Sequence, residues 1–310
     1  MTGWVVALDV GGTTMKGAIA GPDGATCGPL RRPTPRDQGP DAVVEAIGAA
    51  LGELLADARR RRLEVTAAGV VVPGIVDEAR GLAVFSANLG WRDLPLRTLL
   101  EARIGLPVGF GHDARAGALA EATLGAARGE RDVLFVPVGA GIAGAAIVDG
   151  RLLVAGGHAG EVGHLQVDPA GEPCGCGGRG CVETVASGPA LARRYAARSG
   201  TPVAGAAAVA ARARDGDPDA VAVWADAVAA LAQALAAAVG VLASRVVVVG
   251  GGLAGAGDLL LRPLAEALPA RLSPGAAPVP RLALAALGDQ AGCLGAALLA
   301  RRALDAQASR

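Results

Sequence analysis

At 310 residues the chain is long enough for a large core and two lobes. Its 29 Lys+Arg balance 29 Asp+Glu, so nothing electrostatic favours nucleic acid as a partner. Aromatic residues make up only 2%, and the core must be built from Val, Leu, Ala and Ile.

The opening "MTGWVVALDV" lacks the basic segment and long apolar stretch of a secretory signal, so a cytoplasmic protein is expected. Apolar run Trp4 to Leu8, glycine turn "VGGTTMKG" and apolar run Ala18 to Ala20 read as a β-hairpin, with 25–31 as a third strand. Residues 40–60 read as a helix with Pro40 near its start and Val43, Ile47, Leu51, Leu54 and Leu55 on one face. Strand 67–72 ends at Pro73-Gly74, and the loop "SANLGWRDLP" leads to a helix over 95–104. Strand 106–110 and a helix starting near Asp113 follow. Strands 132–138 and 142–149 flank a second glycine turn, "VGAGIAG". After a cysteine-bearing loop the chain turns helical over 188–198, 203–213 and 218–243. The third of these has Asp217 as N-cap and Val221, Trp224, Val228, Leu231 and Leu235 as its apolar face. Its apolar run stops at Ser244 and Arg245, so no membrane span is expected. "RVVVVGGG" is a buried strand entering a third glycine turn; a helix from 257, strand 281–285 and helix 290–304 close the chain.

Glycine turns directly after strands let a ligand approach the backbone and offer N–H groups to phosphate oxygens. Gly11 and Gly12 do so in the first turn, where Thr13 adds a hydroxyl, and Asp9 at the strand end suits Mg²⁺ held through water. Gly250, Gly251 and Gly252 would let a flat ring or a phosphate lie against the backbone. An ordinary tight hairpin would explain any one of these turns.

Three of the five cysteines lie in "CGCGGRGC", spaced C-x-C-x₄-C. Without an oxidising compartment such a cluster points to a metal or to catalysis, and a zinc site would consume the thiolates a catalytic cysteine needs. Structural zinc takes four thiolate or imidazole ligands. Cys174, Cys176 and Cys181 supply three, and His164 or His158 the fourth. Cys27 and Cys293 read as plain buried residues.

Taken together, "LDVGGTTMKGAIAG", "VPGIVD", "NLGW", "GHAGEVGHLQVDP", "CGCGGRGCVETVASG" and "VVGGGL" resemble, in this order, the ROK family of sugar kinases and repressors. The resemblance implies an actin-like (ribonuclease H-like) α/β fold of two lobes closing on sugar and ATP. One lobe would comprise 1–115 plus 290–310, the other 116–289 with the zinc loop. It implies a glucokinase-like enzyme using ATP and Mg²⁺, with Asp113 as catalytic base. Asn88, Asp113, Glu161, His164 and Glu183 match sugar ligands. Asp9, Gly11, Gly12 and Thr13 match the first phosphate loop, Gly139 and Gly141 the second, and Gly250 to Gly252 the nucleotide side. Zn²⁺ would be held by His164, Cys174, Cys176 and Cys181. Family members are often homodimers.

Two departures bear on function. His112 stands where the family has an Asn that contacts sugar hydroxyls, which leaves N-acetylhexosamine, mannose or fructose as alternatives to glucose. Ala140 replaces a Thr and removes a hydroxyl donor from the second loop. A catalytically weak, sugar-binding regulatory protein is the rival reading. The repressor branch carries a basic helix-turn-helix, and none precedes the strand at residue 4, so no nucleic-acid partner is expected.

Overall fold

The first apolar run becomes β1 (Trp4–Val10), which pairs antiparallel with β2 (Thr14–Ala20), itself paired with β3 (Thr26–Pro33). The computed structural model describes residues 3–273, 275 and 278–308. The chain divides into two units. One holds the chain up to Ala120, the segment Val154–His158 and the chain from Asp289 onward; the other holds Glu121–Leu153 and Ala159–Gly288.

In the first unit, β4 (Val65–Val72) and β8 (Val108–His112) extend the hairpin sheet in parallel, in the order β3-β2-β1-β4-β8. The strands are near-continuous apolar runs because both faces of the sheet are covered. Val6 and Leu8 face α1 (Pro40–Arg60) and α2 (Leu96–Ile104), whose Val43, Ile47, Leu51 and Leu100 are buried. Val5 and Ala7 face the C-terminal helix Ala291–Ala308, through Ala296, Ala297 and Ala300. Gly69 on β4 allows that helix to lie close, since a Cβ there would strike the Ala296 carbonyl. A Leu→Ala change at Leu51 would cost about 2–5 kcal/mol.

The stretch after Pro73 is more ordered than the expected loop. Strands β5 (Ile75–Asp77), β6 (Leu82–Ser86) and β7 (Trp91–Leu94) form a small antiparallel sheet. Each is five residues or shorter, too short for a period-2 pattern to stand out. Helix α3 (Asp113–Leu124) begins in this unit, directly after β8.

The second unit repeats the pattern. Its sheet order is β11-β10-β9-β12-β13, from β9 (Val133–Pro137), β10 (Ala145–Val148), β11 (Arg151–Leu152), β12 (Val246–Gly250) and β13 (Arg281–Leu284). Here too a three-strand antiparallel meander adjoins parallel strands. Residues 142–144, expected in a strand, lie ahead of β10 in the turn. The helices are α4 (Glu183–Ala186), α5 (Gly188–Ser199), α6 (Ala206–Arg214), α7 (Pro218–Leu242) and α8 (Asp258–Ala267).

Among the described residues α7 is the one helix long and apolar enough to cross a membrane. Its Trp224, Val228, Leu231 and Leu235 are instead buried in the core of the second unit. Asp217 caps it, accepting from the Asp219 and Ala220 N–H groups and from Tyr195 Oη. Val221, expected on the buried face, is 46% exposed. Cys293 is buried, and burial pushes its thiol up to about 12. Cys27, expected to be buried, is only half-buried at the edge of β3.

Candidate functional site

In the first unit the site residues gather at the C-terminal ends of strands that run parallel, where open α/β sheets bind ligands. Asp9 is the penultimate residue of β1 and Asp113 follows β8. The turn between β1 and β2 is held by one bond of its own and two from Thr34, just after β3: Gly11 N–H donates to Thr14 O at 3.0 Å, Thr34 Oγ1 donates to Gly11 O at 2.7 Å, and Thr34 N–H to Thr13 O at 3.0 Å. Asn88 stands beside it, its Cβ 3.7 Å from where a Cβ on Gly12 would be.

Burial pushes the Asp9 carboxyl up to about 7. Repulsion from Asp113 adds to the rise, Lys16 opposes it, and Asp289 adds again. Lys16 and Arg31 pair with Asp289 at 3.1 and 3.9 Å, and a buried carboxyl raised by a neighbouring one, as Asp9 is by Asp113, is a setting a divalent ion suits.

Asp113 opens α3, and its Oδ1 accepts the Ala114 N–H at 2.6 Å. The neighbouring His112 brings Nε2 to 3.4 Å from that oxygen. Two residues that the motifs did not flag hold this corner. Arg115, 1% exposed, donates to Glu78 Oε1 at 2.7 Å, Val76 O at 2.9 Å and Gly157 O at 3.3 Å. Glu78 Oε1 also accepts the His112 N–H at 3.3 Å. The one sequence signal was a charged residue inside an alanine-rich helical stretch, "DARAGALA".

In the second unit the second and third glycine turns lie side by side. Val138 N–H donates to Gly250 O, and Leu253 N–H to Val138 O, both at 3.0 Å. Gly251 has φ 73°, and a Cβ there would meet the Val138 carbonyl. Glu183, at the start of α4, accepts the Ile142 N–H on Oε2 at 2.8 Å. Glu161 Oε2 lies 3.8 Å from His164 Nε2.

The donor atoms of His164, Cys174, Cys176 and Cys181 all lie within 4.8 Å of one another. Cys176 Sγ and Cys181 Sγ are 3.7 Å apart, and Cys174 Sγ is 3.7 Å from His164 Nδ1. A tetrahedral zinc with Zn–S of about 2.3 Å needs S···S edges of about 3.8 Å. The cluster therefore has the size and the donors for a four-coordinate Zn²⁺. His158 is not among the four; it groups with the first unit. His164 turns Nδ1 to the cysteines and Nε2 to Glu161, so its two nitrogens have separate neighbours.

The ROK family model matches residues 5–303. Over 320 residues the chain is 35% identical to a glucokinase of Streptomyces coelicolor, covering 96% of this chain and 98% of that one. Over 300 residues it is 36% identical to an N-acetylmannosamine kinase of Shigella flexneri, with 96% and 98% covered. The solved structure of a ROK family glucokinase from Streptomyces griseus, in complex with glucose and AMPPNP, matches with a TM-score of 0.84 at 32% identity, covering 97% of this chain and 100% of that chain. The fold is thus the α/β, actin- and hexokinase-like one of these kinases. The match runs nearly from end to end, and the chain belongs to the ROK family.

Proposed function

We propose that the chain is a sugar kinase, transferring the γ-phosphoryl group of ATP to a hydroxyl of a hexose or an N-acetylhexosamine. The observation that carries this reading is the pair Asp9 and Asp113, electrostatically coupled at the ends of parallel strands beside a glycine–threonine turn. Asp113 accepts the proton of the sugar hydroxyl as its oxygen attacks the γ-phosphorus. The backbone N–H groups of Gly12 and Thr13, and that of Gly141, bind phosphate oxygens, while the Gly11 and Gly139 N–H groups close their own turns on Thr14 O and Gly141 O. Gly250, Gly251 and Gly252 leave the backbone open to the nucleotide. Asn88, His112, Glu161, His164 and Glu183 offer the donors and acceptors that a polyol needs. Asp9 is the residue to hold Mg²⁺, which when bound offsets the phosphate charge. His164, Cys174, Cys176 and Cys181 would hold a structural Zn²⁺, which fixes the loop between them.

Glucose was the expected acceptor. Identities of 35% to a glucokinase and 36% to an N-acetylmannosamine kinase support the two sugars almost equally, and His112 in place of the usual Asn makes an acceptor other than glucose as plausible chemically. The reading is therefore the wider one. Its test is an ADP-release assay with ATP, Mg²⁺ and a panel including glucose, mannose, fructose, N-acetylglucosamine and N-acetylmannosamine. Turnover with one or two of these is expected. Silence across the panel, with sugar binding intact by calorimetry, would replace the kinase with a sugar-binding regulator.

A further inference from the structure

Glu183 was expected only as a sugar ligand. Its Oε2 accepts the Ile142 N–H at 2.8 Å, in the second glycine turn. A Cβ on Gly141 would lie 2.6 Å from the same oxygen, so a side chain there would push the carboxylate aside. The other carboxylate oxygen takes no hydrogen bond from a described residue. Five residues on, the Gly188 N–H donates to Gly139 O at 2.8 Å. The segment 183–188 thus grips the turn at both of its ends. That segment is rooted in the cysteine loop, because Cys181 O accepts from Thr184 Oγ1 at 2.7 Å and from Thr184 N–H at 2.9 Å. The turn itself has Ala140 and Ala143, neither of which has a side-chain donor or acceptor to brace it.

We infer that Glu183 is the positioning residue of the second phosphate loop, so that one side chain sets the loop with one oxygen and meets the sugar with the other. The inference rests on the kinase reading. Its test is calorimetry of the whole protein with Mg²⁺ and a non-hydrolysable ATP analogue, without sugar. Glu183→Ala should weaken analogue binding about tenfold, whereas Glu183→Gln, whose amide oxygen still accepts from Ile142, should stay within about twofold of wild type. Both should raise the sugar KM. Gly141→Ala should raise the sugar KM several-fold although it lies in the phosphate loop, because the new methyl displaces the carboxylate.

Glu183→Ala binding the analogue as well as wild type, or more tightly, would overturn the inference. If that variant fails to fold, the other two decide: analogue binding lost in Glu183→Gln, or an unchanged sugar KM in Gly141→Ala, would overturn it. Wild-type protein that bound no analogue would sink both readings. Wild-type protein that bound the analogue and phosphorylated no sugar would sink the kinase reading alone.

Discussion

The two units build the same glycine turn and fasten it differently. In the first, the turn at Gly11 to Thr13 is held by its own sheet, through Thr34 on Gly11 O and Thr13 O. In the second, the turn at Gly139 to Ile142 has one bond of its own, Gly139 N–H to Gly141 O at 2.8 Å, and is gripped besides by a distant segment, through Glu183 and Gly188, next to the strand end at Gly250. The first turn carries Thr13 and Thr14, the second Ala140 and Ala143. The first turn takes its brace from the Thr34 hydroxyl and has Thr13 and Thr14 to offer donors to a ligand. A turn of alanine and glycine depends on what packs around it, and here that is a segment leading directly out of the cysteine cluster.

The largest effect expected in the first unit is on chemistry. Asp113→Asn should lower kcat by about 10²–10⁴-fold with little change in the sugar KM, read by the ADP-release assay. Next is Arg115→Met, which takes the ion pair from half-buried Glu78 and the donor from the Val76 and Gly157 carbonyls; each such loss costs about 1–3 kcal/mol, and thermal melting should show it. In the second unit Cys176→Ser, or a strong chelator, should remove about one zinc per chain by metal analysis. Melting should fall by roughly 10 °C, corresponding to about 3 kcal/mol at this size. If the second turn does depend on that cluster, ATP KM should rise as well, and an unchanged ATP KM would separate turn from cluster.

The pH effect is smaller and belongs to the first unit. The Asp9 carboxyl is raised to about 7 from an ordinary 3.8. The folded protein therefore binds more protons here than the unfolded chain between these values. The contribution to stability is full below about 4 and is lost as pH rises through about 7. Asp9→Asn should flatten this part of the stability–pH curve. For Mg²⁺-ATP the sign reverses, because the ionised carboxylate is the useful form: its KM should rise as pH falls below about 7. The smallest expected effect is that of Ala140→Thr, which gives the second turn a hydroxyl like those of the first. A drop in ATP KM of less than about tenfold is expected, the worth of one hydrogen bond.

The contrast also explains what could be read from the residues in order. The strands around each glycine turn, the N-cap at Asp217 and the cysteine spacing are local patterns, and apart from the late start of β10 at Ala145 each lies where its pattern placed it. Fastenings are not local. Arg115 reaches Glu78 and Gly157 across 37 and 42 residues, and Glu183 reaches Ile142 across 41. No periodicity carries such pairings. The β5–β7 sheet was missed for a different reason, because its strands are too short to show an alternation. Val221 was misplaced because α7 is apolar on nearly every side, so pattern alone could not say which side faces the core.

The most direct test of the central claim is mass spectrometry of the sugar after incubation with the protein, ATP and Mg²⁺. The account predicts a hexose or N-acetylhexosamine gaining one phosphoryl group, and no such product with Asp113→Asn. Unmodified sugar with wild-type protein that binds both sugar and nucleotide would contradict it.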